Sequence, residues 1–405
     1  MIGATMIIDN RRPRYPRQGP SCLLLIIFIA VFAVGLFVIV NADEVREAIQ
    51  PTPAPEPTRD AVSFAVSADL YLRDGDFASA IENYERALAL DADNVAFYTS
   101  LVELLIIEGR AEEALEWALL ANDLAPEDYE VWELLAGAWL AYGDRLSETG
   151  EPLEADQAYA SGARAAREAI QLNPESGVAY AYWAGAIIGQ RGPEGVLEAQ
   201  DQIELALALA PEDATVRRFR GLVLETQGLY GAAIQEYEIA QDFTTKPKEL
   251  ANLLILQAYN SFALQNVPEA ILFFEDALRL DGESADAYDG LSYMYFLVGE
   301  YPRAADNAEE AVARDPDMVR AYAHLGAAQF RQNFYAQAIP NLEAAVSRYS
   351  SVTVANAIYF NMLGLAYFFE LQDCGRARPL FEEVLEAIPD EPNALDGLSL
   401  CRAGS

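Results

Sequence analysis

Residues 285–318 read ADAYDGLSYMYFLVGEYPRAADNAEEAVARDPDM, and variations of these 34 residues fill the chain from Ala61 to Glu391. Counted from Ala285 as position 1, Tyr288 (4), Leu291 (7), Ser292 (8) and Tyr295 (11) share one stripe of a helix with 3.6 residues per turn. Ala304 (20), Ala308 (24) and Ala311 (27) form a second stripe. Gly299 at position 15 separates the two, and Pro316 at position 32 closes the unit. The spacing predicts two antiparallel helices joined by a tight turn. Small residues at 8, 20 and 27 let the helices approach closely, and large ones at 4, 7 and 11 fill the space left.

One such hairpin cannot bury its apolar stripe, so it must stack on copies of itself. Nine copies are present, and Ala fills positions 20 and 27 in eight of nine cases each, the exceptions being Gly162 and Val384. The pattern closely resembles the tetratricopeptide repeat (TPR). The resemblance implies an all-α, right-handed superhelical solenoid of about nine hairpins with a C-terminal cap helix and tail over 392–405. The repeats run 61–94, 95–128, 129–176, 177–213, 214–247, 251–284, 285–318, 319–352 and 357–391.

Departures from the period carry their own expectations. The third repeat keeps Trp132, Trp139 and Gly143 but gains 14 residues around 144–155, which either lengthen both helices into a knob or form a loop. The fourth has extra residues near Gly192-Pro193. The fifth places Arg217 and Arg220 at packing positions and is followed by Lys246 and Lys248, where a break or change of pitch is expected. Pro340 and Pro379 fall about one turn into their helices, predicting a kink or a delayed start.

Ahead of the repeats, residues 1–21 form a basic tail and Cys22–Val40 gives 19 consecutive apolar residues without a charge. As a helix this stretch spans about 28 Å, enough for a bilayer core, and it is read as one transmembrane helix. Arg residues precede it and Asp43, Glu44 and Glu47 follow, so the tail is expected to be cytoplasmic and the repeats extracytoplasmic. A secreted form cleaved near Ala42 is the alternative, disfavoured because the apolar run exceeds a signal core. Residues 41–60 form an acidic, Pro-rich linker with Pro51, Pro53, Pro55 and Pro57.

Net charge is −36; residues 1–42 contribute +3, so the remainder carries −39. Such a surface repels nucleic acid and anionic lipid and leaves proteins or peptides with apolar or basic segments as partners. Of three Cys, Cys374 and Cys401 fall at neighbouring ends of stacked helices. They are read either as two buried reduced thiols, the preferred reading, or as a disulfide stapling the cap.

No enzymatic, metal or cofactor motif stands out, and the lone His324 is read as structural. The family resemblance implies a concave face lined by first helices at positions 2, 5, 9, 12 and 13. Those positions give an aromatic end, Tyr259, Phe262, Tyr293, Phe296, Phe330, Phe368 and Phe369, and an acidic end, Asp69, Glu103, Glu130 and Glu133. The function expected is a membrane-anchored, non-catalytic scaffold for proteins or peptides. The alternative is an envelope-assembly or polysaccharide-export accessory whose groove meets glycan or glycan-handling machinery.

Overall fold

The computed structural model describes residues 22–40, 59–73 and 75–403, and the chain divides into two units between Arg59 and Asp60. In the first unit, helix α1 spans Cys22–Val40. The side chains described on it, 26–36, are exposed. They span about 16 Å, roughly half a hydrocarbon core. Among the described residues no helix is long and apolar enough to cross a membrane. The structure therefore does not support the transmembrane helix expected from the sequence. The basic tail, the residues around Ala42 and the Pro-rich linker to residue 58 lie outside the described residues.

The second unit is an all-α solenoid. Its consecutive hairpins are α2 (Ala61–Arg73) with α3 (Phe77–Leu90), α4 (Val95–Ile107) with α5 (Ala111–Leu124), and α6 (Tyr129–Thr149) with α7 (Pro152–Leu172). Next come α8 (Gly177–Arg191) with α9 (Val196–Leu209), α10 (Ala214–Thr226) with α11 (Tyr230–Gln241), and α12 (Pro247–Ala263) with α13 (Val267–Leu280). Then follow α14 (Ala285–Leu297) with α15 (Tyr301–Arg314), α16 (Val319–Arg331) with α17 (Tyr335–Val346), and α18 (Ala357–Leu371) with α19 (Cys374–Ala387). Helix α20 (Pro392–Ala403) closes the series.

The alanines at positions 20 and 27, from Ala80 and Ala87 to Ala377, are all fully buried. They form the small side of each helix contact. The large side is formed by residues such as Tyr237, Phe274, Leu342 and Phe381, also fully buried. Each presses on a glycine of a first helix, respectively Gly221, Gly290, Gly326 and Gly364, where a Cβ has no room.

The third hairpin settles the question of the insertion: α6 and α7 are 21 residues each, so the extra residues lengthen both helices. Elsewhere the turn after the first helix uses a left-handed residue, as at Gly109 (φ 74°) and Gly299 (φ 81°). Here the turn has moved to Gly150 (φ 86°). Gly143, which holds the usual turn position, is now inside α6. Its missing side chain admits the Tyr159 ring from α7, whose hydroxyl donates to Asp144 Oδ1 at 2.8 Å.

Of the two outcomes expected at Pro340 and Pro379, the delayed start is excluded, because α17 begins at Tyr335 and α19 at Cys374, each with its proline inside. One expectation needs correction. Cys374 and Cys401 are disulfide-bonded, with Cα atoms 5.5 Å apart, not reduced. The bond ties the start of α19 to the last turn of α20, and Cys401 is fully buried.

Two measurements check this packing. Gly290→Ala should destabilise the chain by about 1–3 kcal/mol through overpacking against Phe274. Gly231→Ala, whose Cβ meets nothing, should be neutral or slightly stabilising in the same thermal melt. A thiol titration of unfolded, unreduced protein should find one free thiol; three would remove the bond.

Candidate interaction surface

The seven aromatic residues singled out by position sit on α12, α14, α16 and α18 at two levels. Phe262, Phe296 and Phe330 each lie one residue before the end of their helix, and Phe368 and Phe369 lie in the last turn of α18. Tyr259 and Tyr293 sit about one turn deeper. There Tyr293 stacks on His324, with centroids 5.0 Å apart, and meets Phe262 edge-on at 5.5 Å. Tyr259 meets Phe274 edge-on at 5.2 Å.

At the turn edge the rings continue onto the second helices. Phe296 packs on Tyr301 at 5.6 Å and Phe330 on Tyr335 at 5.3 Å. Tyr335 stacks on Phe369 at 5.3 Å, and Phe369 meets Phe368 edge-on. The Arg331 guanidinium sits 5.4 Å over Tyr301. Phe369 is 48% exposed and Phe334, beside this row, 51%; the other candidate rings are half-buried. Position counting missed Tyr301 and Tyr335, the first residues of α15 and α17. The recurring five-residue step, Phe296 to Tyr301 and Phe330 to Tyr335, was the available signal. An aromatic row with exposed members can bury an apolar side chain or cover a cation.

The deeper level is ionic. Asp289, 2% exposed, accepts from His324 Nδ1 at 2.7 Å and from Arg320 Nε at 2.8 Å. Arg320 also pairs with Asp286. Burial would push the Asp289 carboxyl up, but His324 and Arg320 outweigh it and hold it below the usual range. Asp286 goes the other way: its burial outweighs Arg320 and raises it. His324 is thus a structural partner of a buried carboxylate.

The two halves of the solenoid also touch. Arg145 on α6 pairs with Asp315 at 3.1 Å, and Arg320 on α16 reaches Glu148 on α6 at 3.5 Å. Lys246 pairs with Glu103 at 3.2 Å, and Lys248 pairs with Glu108. Lys248 also sits 4.5 Å over the Phe77 ring. A cavity of about 510 Å³ lies among these contacts, lined by Arg110, Glu113, Arg145, Asp317 and Arg348. The linker lysines, expected at a break in the stack, thus bind the first hairpins.

At the acidic end Asp69, Glu103 and Glu130 are exposed and Glu133 is half-buried, and each has a partner. Glu103 holds Lys246, Asp69 accepts from the Tyr84 hydroxyl at 2.5 Å, and Glu130 from the Tyr129 hydroxyl at 3.1 Å. Glu133 accepts from the Ser176 hydroxyl. Burial pushes the Glu133 carboxyl up to about 7, more than that hydrogen bond lowers it.

Models described as tetratricopeptide repeat match residues 71–144 and residues 195–247, 255–319, 298–333 and 325–392, together more than half of the chain. The photosystem I assembly protein Ycf3 of Synechococcus elongatus is 27% identical over 134 residues, covering 32% of this chain and 78% of that protein. The protein of the same name from Cyanophora paradoxa is 26% identical over 135 residues, with 32% and 78% covered. A solved human IFIT1 dimer with m7Gppp-AAAA is similar in fold, with a TM-score of 0.52 at 13% identity, covering 85% of this chain and 81% of that one.

Glu133 gives a pH test. Its carboxyl loses a proton near 4.5 ordinarily and near 7 in the folded chain. The folded state therefore keeps a proton the unfolded state has lost, and this stabilising contribution disappears as pH rises through 7. Melting temperatures should fall more steeply from pH 5 to pH 8 in the native chain than in Glu133→Gln. Parallel slopes would contradict the assignment.

Proposed function

The chain belongs to the tetratricopeptide repeat family, and from that premise we propose that it is a non-catalytic scaffold that holds a protein or peptide during assembly of a larger complex. The observation that carries this reading is the aromatic row along the turn edge of α12 to α18. Rings meet there within hairpins at 5.6 and 5.3 Å, Tyr335 and Phe369 join two consecutive hairpins at 5.3 Å, and Phe369 and Phe334 stay exposed. A monomer rarely leaves such a contiguous apolar strip on its surface without a partner for it. The partner segment is apolar with basic flanks, because a chain of net charge −36 attracts cations. The assembly role is supported by the printed name of the distant relatives, photosystem I assembly protein.

The same proposal places the scaffold at a membrane. Cys22–Val40 is the tether, the basic tail is cytoplasmic, and the repeats are extracytoplasmic. Its support is the 19-residue uncharged apolar run and the Arg residues before it. A disulfide between Cys374 and Cys401 fits an oxidising compartment.

Two experiments test the proposal. Phe330→Ala with Phe369→Ala should weaken capture of the native partners by about tenfold or more, as loss of aromatic anchors does; an unchanged partner set would refute the aromatic row. In intact cells, external protease should degrade the repeats and spare the tail, and the reverse pattern would refute the orientation.

A further inference from the structure

We propose that the tip of α6 is a built-in ligand of the surface around Asp315 and Arg320. That surface is then closed at rest and is taken by a partner helix carrying a basic residue and a carboxylate three positions apart. This deepens the scaffold reading above and rests on it.

The lengthening of the third hairpin is what creates the contact. First helices elsewhere run 13 to 17 residues, whereas α6 runs 21. The additional turns carry Arg145 and Glu148, one turn apart on one face. Both reach across the solenoid, Arg145 to Asp315 at a separation of 170 residues and Glu148 to Arg320 at 172. The pairs have opposite polarity, so the contact accepts one orientation of the tip and rejects the reverse. Beside them the turn at Gly150 comes against the Arg348 backbone carbonyl.

On the receiving side Arg320 is held by Asp286 and Asp289, and Asp289 by His324. None of these three pairs involves α6. The tip side is weaker: Arg145 and Asp315 side chains are 29% and 26% exposed, Arg320 and Glu148 34% and 49%. Partly exposed pairs of this kind contribute little singly and are screened by salt. A firm receptor with a loosely held internal occupant suits displacement by an external helix of the same charge pattern.

The test uses the full chain and a labelled synthetic peptide of residues 139–150. Arg145→Glu with Glu148→Lys leaves the receiving residues intact while making the internal tip repulsive. The variant should stay folded by circular dichroism and exchange backbone amides faster at residues 142–152 and 315–324. It should also bind the peptide at least about tenfold more tightly than the native chain does, the native tip competing at high effective concentration. Unchanged exchange would overturn the closure. Faster exchange without any preference for the peptide would overturn the tip as ligand, while an intact Phe330/Phe369 effect would leave the scaffold reading standing. If the variant misfolds, the native chain at about 0.5 M salt against about 0.05 M decides, because screening should speed exchange in the same two segments. Equal exchange at both salts would overturn the proposal.

Discussion

Close helix contact through small residues is the constraint on which the rest of this solenoid depends. The alanines at two fixed offsets have no exposed surface, and large residues such as Phe274 and Tyr237 fill the gaps against glycines with no space for a Cβ. A hairpin alone would leave its stripe in water, so each is stabilised by its neighbours. The C-terminal end carries a different device. There α20 covers the last stripe and is tied back to α19 by the Cys374–Cys401 bond.

On this frame the charges divide into two classes. Asp289 is enclosed by His324 and Arg320, a buried group whose pairing is required because leaving it unpaired would be costly. The pairs that join distant hairpins, Arg145–Asp315, Glu148–Arg320 and Lys246–Glu103, are partly exposed. Removing one member of the first class should damage the fold. Changing the second class should alter how the distant hairpins are joined. The aromatic row at the turn edge belongs to neither, since it is held by ring packing and keeps part of its surface in water.

The hairpins were legible in the sequence because their cause is local: side chains three and four apart share a helical face. The site was legible only in part, since counting positions finds rings on the first helices, Phe296 and Phe330, but not Tyr301 and Tyr335 on the second. Gly143 shows a second limit. Its residue type and offset mark a turn, yet the insertion after it turned the same glycine into a packing site for Tyr159. Contacts across the solenoid were out of reach altogether. Glu103 and Lys246 lie 143 residues apart, and what brings them together is the sum of small rotations between hairpins, which no single stretch encodes. Of Cys374 and Cys401 the spacing showed proximity, but the preferred reading of two reduced thiols was wrong, because spacing carries no information on oxidation.

Native-state hydrogen exchange over residues 60–403 tests the central claim most directly. If each hairpin is stable only through its neighbours, protection should rise from the first hairpin toward the middle and change gradually between adjacent ones. Mutating one interior contact, such as Gly290, should lower protection in the hairpins on both sides. Blocks of hairpins with separate, uniform protection, unaffected by changes in the block beside them, would contradict it.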